Sequence, residues 1–183
     1  MKFIDTPLAG VYLVEPELIV DDRGSFSRLW CVAEMASHGL DHRIAQISTS
    51  FNRQRGTLRG LHYQVAPDAE AKLVRCTAGS IHDVVVDLRE GSPTRYRWYG
   101  VELSAANRSA IYIPQGVGHG FQTLVDATEV EYMISVPYAP ASSRGIRWDD
   151  PVIGIRWPLA VSCISRRDAA FASLDPNAPG SAA

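Results

Sequence analysis

The chain contains 183 residues, of which 46% are hydrophobic and 21% are charged, and its 18 Lys and Arg residues are offset by 20 Asp and Glu residues. The resulting net charge of −2 excludes the basic surface on which nucleic-acid binding depends. Cys31, Cys76 and Cys163 stand far apart, which indicates reduced thiols rather than a disulfide framework or a zinc site. No apolar run approaches the roughly 18 residues that a membrane span needs, so we expect a cytoplasmic protein without membrane contact.

Short apolar segments rich in β-branched residues recur along the chain, separated by Gly, Pro, Asn or Asp at intervals of about ten residues. The predicted strands lie at residues 11–20 (interrupted by Pro16), 25–31, 44–51, 57–64, 71–77, 81–88, 95–103, 110–114, 119–125 and 129–136. Residues 71–77 and 81–88 flank the turn signal at Gly79 and are predicted to pair as a hairpin. In residues 25–31, alternation would place Phe26, Arg28 and Trp30 on one face. This spacing is typical of an all-β sandwich or barrel.

Two short helices complete the prediction. Residues 33–40 form the first, closed by Gly39, and residues 164–171 form the second, with Ser165 as its N-cap. Asp168 then lies in the first turn of the second helix, where a carboxylate stabilises the positive end of the helix. We find no internal repeat and no interdomain linker, so we expect one domain over residues 1–174 followed by a disordered tail over 175–183.

The segment 56–64 (GTLRGLHYQ) places a cation and an imidazole within a predicted strand. Arg59 and His62 are three residues apart, so in a regular strand they point to opposite faces. Both can serve one pocket only if Gly60 forms a bulge that resets the alternation or if the two side chains reach different levels. Taken alone, a histidine in a strand is more often a hydrogen-bonded core residue than a catalytic one.

Several other polar side chains lie on predicted strands and could take part in acid–base chemistry. They are Lys72, His82, His119 and Tyr132, with Asp83, Asp87 and Asp168 as possible orienting groups, and Gln46, Ser48 and Ser50 as a polar lining of one strand face. No serine lies in a GxSxG elbow and no cysteine has the context of a nucleophile, which argues against covalent acyl transfer. The segment 116–120 (GVGHG) lacks the third glycine and the helix of a dinucleotide-binding loop.

Two motifs resemble metal-binding cupin barrels: Gly56 followed six residues later by His62, and the Pro-x-Gly-x-x-His pattern that ends at His119. The cupin motif continues as His-x-His, whereas this chain reads His62-Tyr63-Gln64, and Glu70 is the only nearby carboxylate. Two imidazoles make a poor site for a divalent ion, which usually has three protein ligands. We therefore expect no catalytic metal.

Six motifs occurring in order resemble the dTDP-4-dehydrorhamnose 3,5-epimerase family. They are 21–26 (DDRGSF), 56–64 (GTLRGLHYQ), 72–75 (KLVR), 86–94 (VDLREGSPT), 113–121 (IPQGVGHGF) and 144–151 (RGIRWDDP). The resemblance covers residues 3–168. It implies an all-β fold, a cupin-type double-stranded β-helix or jelly-roll barrel with a few short helices. It also implies a homodimer with exchanged N-terminal strands, which needs neither a metal nor a diffusible cofactor.

The resemblance further implies an activity on a nucleoside-diphosphate 4-keto-6-deoxyhexose. The ketone acidifies the hydrogens at C3 and C5, so a base can remove one and leave an enolate that is reprotonated from the opposite face. By resemblance His62 is the base, oriented by Asp168, and Tyr132 is the acid. Lys72 would stabilise the enolate oxygen where the negative charge develops. An imidazole suits the role of base because its ordinary pKa lies near neutral pH.

The remaining site residues implied by the resemblance contact substrate. Arg59 would approach the sugar or the diphosphate, whose oxygens match the paired donors of a guanidinium, and His119 would line the sugar end. A third group would lie at the nucleotide: Arg23, Phe26, Arg28, Gln46, Ser48 and Tyr138. Within it, Phe26 and Tyr138 would stack on the base, and Arg23 and Phe26 would come from the partner subunit.

Two positions depart from the family pattern and leave alternatives open. Arg28 stands where the family has Glu, which exchanges an acceptor for a donor, and Gln46-Ile47-Ser48 differs from the family's Gln-Asp-Asn run. A single-site epimerase at C3 or C5, or an enzyme for a different nucleotide sugar, is the closest alternative. A non-catalytic cupin that binds sugar nucleotides and a metal-dependent cupin are alternatives of other classes.

Overall fold

The computed structural model describes residues 1–174; the tail predicted for 175–183 lies outside the described residues. Its strands are β1 Lys2–Asp5, β2 Tyr12–Glu15, β3 Ile19–Asp21, β4 Gly24–Phe26, β5 Gln46–Asn52, β6 Thr57–Gln64, β7 Lys72–Ala78, β8 Ser80–Asp87, β9 Trp98–Ser104, β10 Ala110–Ile113, β11 Val117–Thr123, β12 Thr128–Ile134, β13 Ser143–Gly145 and β14 Cys163–Ile164. The helices are α1 Val32–Ser37 and α2 Arg166–Ala169. Within this part of the chain, no helix combines the length and apolarity that crossing a membrane requires.

Two antiparallel sheets face each other and form the barrel. The first sheet has the strand order β1-β2-β10-β7-β12-β5, and the second has β13-β6-β11-β8-β9, with β14 added parallel to β6. Alternate residues of both sheets point inward and pack together, among them Val74 and Val130 from the first sheet and Val85 and Phe121 from the second. The all-β jelly-roll prediction is therefore confirmed.

The outer faces of the sheets are covered by irregular segments. On the first sheet, Met35 of α1 packs against Leu73 and Tyr112. On the second sheet, residues 146–160 run across the outward side chains of β8, where Ile146 and Ile153 join the buried cluster. Residues 146–160 then lead into β14 and α2, so α2 lies at the open side of the barrel.

The predicted hairpin between residues 71–77 and 81–88 is wrong. β7 pairs with β10 and β12 in the first sheet, whereas β8 pairs with β9 and β11 in the second. Gly79, at a φ of +76°, makes a corner between the sheets instead of a hairpin turn. Thr128 packs so closely that a Cβ at Gly79 would lie 2.5 Å from its Oγ1, and this contact across the barrel is invisible to local turn rules.

The predicted strand at residues 25–31 is also wrong in its second half. The strand ends at Phe26, and the chain turns away before α1, so Phe26, Arg28 and Trp30 do not share a strand face. Trp30 instead packs on the cluster beneath α1, and this burial stabilises the turn of the chain after Phe26. The alternation of residues 25–31 does not indicate such a turn. The helix predictions hold: Gly39 follows α1 with a φ of +68°, and Ser165 accepts a hydrogen bond from the Asp168 N–H.

A bulge in β6 lies at Gly60, as the sequence predicts. His62 pairs with His119 and Arg59 pairs with Phe121, so β6 contains one more residue than β11 between the two pairs. Gly60 has a φ of +126°, and a Cβ there would lie 2.5 Å from the Gly120 Cα. Only glycine fits this crossing, and the bulge brings Arg59 and His62 to the same face.

Replacing Gly60 by alanine tests this crossing. Gly24 is a matched control, because its φ of +127° is nearly the same and no atom lies within 4 Å of a Cβ built there. We expect Gly60→Ala to lower the free energy of unfolding by about 1–3 kcal/mol more than Gly24→Ala, since overpacking adds to the backbone strain that both share. Urea unfolding measures the difference, and equal losses would show that the close approach is not tight.

Candidate active site

A cavity of about 330 Å³ lies between the two sheets at the open side of the barrel. Its lining is mainly polar and aromatic: Gln46, Ser50, Arg59, His62, Tyr63, Gln64, Glu70, Lys72, His119, Phe121, Tyr132, Ile134, Tyr138, Ser143 and Arg167. Convergent polar groups in one concave pocket are the usual form of a small-molecule site. Seven of the twelve residues predicted for the site line it, and Asp168 lies directly behind them.

The two sheets contribute different chemistry to this cavity. The second sheet supplies His62 and His119, which are paired neighbours on β6 and β11, together with Arg59. The first sheet supplies Tyr132 from β12 and Lys72 from β7. The rings of His119 and Tyr132 meet edge to face at a centroid distance of 6.1 Å, so the two sheets contact each other at this side of the cavity.

His62 is oriented by a carboxylate from α2. Its Nε2 lies 2.8 Å from Asp168 Oδ1, and Asp168 Oδ2 accepts a hydrogen bond from the Gly60 N–H at 3.1 Å. Because a carboxylate only accepts, Nε2 carries the proton of this bond and Nδ1 is the free basic nitrogen. The His62 side chain is 39% exposed and the Asp168 side chain 6% exposed, so the imidazole faces the cavity while its partner is covered.

The Asp168 carboxyl has a lowered pKa. Burial alone would raise this pKa, but hydrogen bonds from His62, the Gly60 N–H and Ser165, together with the nearby His62 charge, outweigh it. Asp168 therefore remains ionised at neutral pH and holds the His62 ring in one orientation. The sequence placed Asp168 correctly in the first helical turn, and its contact with His62 spans 106 residues of chain.

The phenol of Tyr132 is buried and held in its protonated form. Burial raises the pKa of its phenol to about 12; the Ser50 hydroxyl opposes this rise, the Asp83 charge adds to it, and Arg59 opposes it. The phenol oxygen lies 3.1 Å from Ser50 Oγ. A phenol with this pKa stays protonated throughout the neutral range, which suits a group that donates a proton.

Three cavity bases each have a buried acid partner. Besides His62 with Asp168, Lys72 Nζ lies 2.7 Å from Glu70 Oε1, and His119 Nε2 lies 2.7 Å from Asp83 Oδ2. Glu70, considered from the sequence only as a metal ligand, instead fixes the ammonium group. Alternation could not reveal it, because Glu70 lies in the loop before β7.

Arg59 differs from these three bases because its partner is neutral. Its Nε donates to Asn52 Oδ1 at 2.7 Å, and no carboxylate forms an ion pair with it among residues 1–174. The guanidinium charge is therefore available to an anionic ligand. At the rim, Arg167 donates to Ser143 Oγ at 2.9 Å and adds a second cation that sequence analysis missed. The sequence could have indicated Arg167 as a site residue, because it directly precedes Asp168.

A family model described as dTDP-4-dehydrorhamnose 3,5-epimerase matches residues 5–176. The chain belongs to this family. A curated dTDP-4-dehydrorhamnose 3,5-epimerase from Sinorhizobium fredii is 41% identical over 175 residues, which cover 95% of this chain and 90% of the relative. The crystal structure of a dTDP-4-dehydrorhamnose 3,5-epimerase from Bacillus anthracis, with TDP and PPi bound, has a TM-score of 0.90 and 38% identity, covering 94% of this chain and 99% of that one.

Another similar solved structure belongs to an enzyme of narrower activity. A 3'-monoepimerase from Streptomyces bikiniensis, in complex with dTDP-quinovose, has a TM-score of 0.84 and 34% identity. The match covers 92% of this chain and 85% of that one. Structures with this degree of similarity therefore include enzymes that invert one carbon as well as enzymes that invert two.

Four residues that the resemblance assigns to the nucleotide do not line the cavity of this chain. Arg23 and Phe26 lie on the β3–β4 hairpin, where their side chains are exposed to solvent. Arg28 pairs with Glu34 at 2.8 Å. Ser48 is in register with Tyr132 but lies at the exposed edge strand β5, outside the lining.

No group of three or more His, Cys, Asp or Glu side chains that could hold a metal ion occurs within the described part of the chain. His82, considered from the sequence as an acid–base candidate, lies on the outer face of β8 beside Trp157 rather than in the cavity. The absence of a catalytic metal stays a prediction, which elemental analysis of the purified protein tests.

Changing Asp168 to asparagine tests the orienting pair by its pH dependence. The lowered pKa means that Asp168 contributes stability fully above its ordinary value of 3.8, and that this contribution is lost as pH falls through the lower folded-state pKa. We expect Asp168→Asn to cost about 1–3 kcal/mol at pH 7, with the difference from the unmodified protein shrinking below about pH 4. The measurement is urea unfolding across pH.

Asp149→Asn is the control for that series. Asp149 also has a lowered pKa, caused mainly by its hydrogen bond with Arg147, but the pair is exposed and we expect a cost below about 0.5 kcal/mol. A pH-independent cost at Asp168 would contradict the assignment of an ionised carboxylate.

Proposed function

We propose that the protein inverts C3 and C5 of a dTDP-linked 4-keto-6-deoxyhexose through enolate intermediates. The observation that carries the proposal is the placement of an imidazole and a phenol on opposite walls of one cavity, with an ammonium group beside them. Membership of the family supports the same reaction. The roles of the individual residues are part of the proposal.

His62 Nδ1 removes the proton from the carbon next to the ketone, and the C–H electron pair moves into a carbon–carbon double bond while the carbonyl oxygen becomes an enolate. The Lys72 ammonium group stabilises that oxygen, because preorganised positive charge counts for most where negative charge develops. Tyr132 then donates its proton to the opposite face of the same carbon. Each inversion leaves a charged His62 and an ionised Tyr132, and transfer of one proton through solvent restores both.

Solvent isotope incorporation tests this proposal. We expect dTDP-4-keto-6-deoxyglucose in deuterated water to gain deuterium at C3 and C5, and His62→Asn to abolish the gain while it keeps affinity for dTDP. Tyr132→Phe should still permit deprotonation at His62, with return of deuterium to the original face, and should lower inverted product by about 100-fold or more. Mass spectrometry and proton NMR follow both quantities.

The outcomes separate the competing functions. Deuterium at one carbon would identify a single-site epimerase, which the similar 3'-monoepimerase structure makes the leading alternative. Binding of dTDP without any deuterium incorporation would identify a non-catalytic sugar-nucleotide-binding protein. Incorporation that survives in His62→Asn would remove the role of His62.

We further propose that two chains form a homodimer in which the β3–β4 hairpin of each completes the other's nucleotide site. The hairpin pairs with neither large sheet and exposes Ile19, Val20 and Phe26, with exposed fractions of 67%, 72% and 70%. An isolated two-stranded hairpin is marginally stable, and an exposed apolar surface of this kind marks an interaction site. The exposed edge strand β5 carries Ile47 and Phe51 as a surface of matching character.

Complementation between variants tests the exchanged arrangement. His62→Asn and Arg23→Glu damage different subunits of one site if the hairpin is exchanged, so a refolded equal mixture should regain about one quarter of the wild-type activity. Half of the dimers are then mixed, and each mixed dimer has one intact site. A mixture of His62→Asn with Tyr132→Phe is the control, because both residues belong to one cavity and no intact site can form. Lack of recovery in the first mixture, with mixed dimers detected by native mass spectrometry, would contradict exchange.

A further inference from the structure

A loop at the rim of the cavity, residues 137–142, carries Tyr138 and is shaped by one buried side chain. Gln64 on β6 is 2% exposed. Its Oε1 accepts a hydrogen bond from the Ala139 N–H at 2.7 Å, and its Nε2 donates to the Pro137 carbonyl at 3.4 Å. The same Nε2 donates to the Asp68 carbonyl at 3.0 Å. The side-chain amide therefore bonds to the backbone on both sides of Tyr138.

Tyr138 is held at its hydroxyl, which hydrogen-bonds with Arg167 and Ser143 at the rim. Its side chain lies at the rim and the residue is 55% exposed. Its N–H donates to Gln46 Oε1 at 3.0 Å, and the loop is tied once more where Ser142 Oγ donates to Asp68 Oδ2 at 2.6 Å. The ring is therefore fixed both at its hydroxyl and through its backbone, and Gln64 makes two of the bonds that set the backbone position.

Gln64 meets a donor and two acceptors at once, which restricts the residue type. A primary amide offers both a carbonyl oxygen and an NH₂ group, whereas a carboxylate only accepts. Glutamate at this position would keep the bond from the Ala139 N–H but would place its second oxygen against the carbonyls of Asp68 and Pro137. Methionine would keep the length of the side chain and leave all three backbone groups without this partner.

We infer that Gln64 is a positioning residue for the nucleotide subsite, holding the rim loop so that the Tyr138 ring meets the flat face of a pyrimidine base. The inference rests on the proposed function, which supplies the nucleotide ligand. Gln64 touches the loop backbone and acts on the ligand through Tyr138. Selectivity for the nucleotide end of the substrate then depends on a residue that makes no contact with the reacting carbons.

Gln64→Met and Gln64→Glu test the inference by calorimetric titration with dTDP and by steady-state kinetics. We expect dTDP affinity to fall about tenfold in each variant, the scale expected for a displaced stacking ring, with KM raised and kcat within about twofold of wild type. Gln122→Met is the matched control. Gln122 makes an equivalent pair of amide bonds with the backbone of Leu159, on the outer face of β11, so its loss should lower Tm comparably and leave dTDP affinity unchanged.

A double-mutant cycle separates positioning from general structural support. If Gln64 acts through Tyr138, Gln64→Met should cost no further dTDP affinity in a Tyr138→Ala background. Unchanged affinity in both Gln64 variants, or additive losses in the cycle, would overturn the inference while the isotope incorporation of the unmodified protein stands. Failure of the unmodified protein to bind dTDP would overturn the nucleotide proposal and this inference together, so the two failures are distinguishable.

Discussion

The carboxylate of Asp168 joins three parts of the molecule that depend on one another. One oxygen accepts from His62 Nε2 and the other from the Gly60 N–H, which the bulge has removed from the regular ladder. The carboxylate arrives on α2 because residues 146–160 first cross the outer face of the second sheet. A single side chain thus orients the imidazole, accepts the N–H freed by the bulge in β6 and anchors the C-terminal segment.

The cavity separates its charges in a way that matches the reaction. Lys72, His119 and His62 each have an acid partner within 2.8 Å, so these bases are fixed in place and partly neutralised. Arg59 has a neutral partner and keeps its charge for the ligand. A substrate that carries its own negative charge at one end and develops more at the ketone would find a free cation for the first and a positioned ammonium group for the second. The buried Lys72 and His119 are tolerated inside the protein because each is hydrogen-bonded to a carboxylate.

The sequence predicts the parts of the fold that depend on local chemistry. Gly60 within the 56–64 segment predicted the bulge, and Ser165 predicted the start of α2, because both follow from backbone geometry and capping. The glycine at position 79 led to the wrong prediction of a hairpin between β7 and β8, because a corner between two sheets and a hairpin turn favour the same residue type. Which of the two forms is decided by contacts across the barrel, such as the approach of Thr128.

Within the site, alternation predicted the strand residues better than the loop residues. Tyr132 and Gln46 follow the alternation of their strands, whereas Glu70 and Ser143 belong to segments whose direction the sequence does not specify. The β3–β4 hairpin could not be placed from the sequence, because its contacts depend on a second chain. Arg23 and Phe26 are exposed in a single chain, and their placement at the nucleotide stays a prediction.

The late position of Asp168 in the chain has a consequence for biosynthesis. Apart from β14, the strands of both large sheets are complete by Gly145, more than twenty residues before α2 begins. During translation the barrel can therefore close around its cavity while His62 still lacks the carboxylate that orients it. In such a nascent chain the cavity is already formed, and the His62 ring is fixed in its orientation only after Asp168 has left the ribosome.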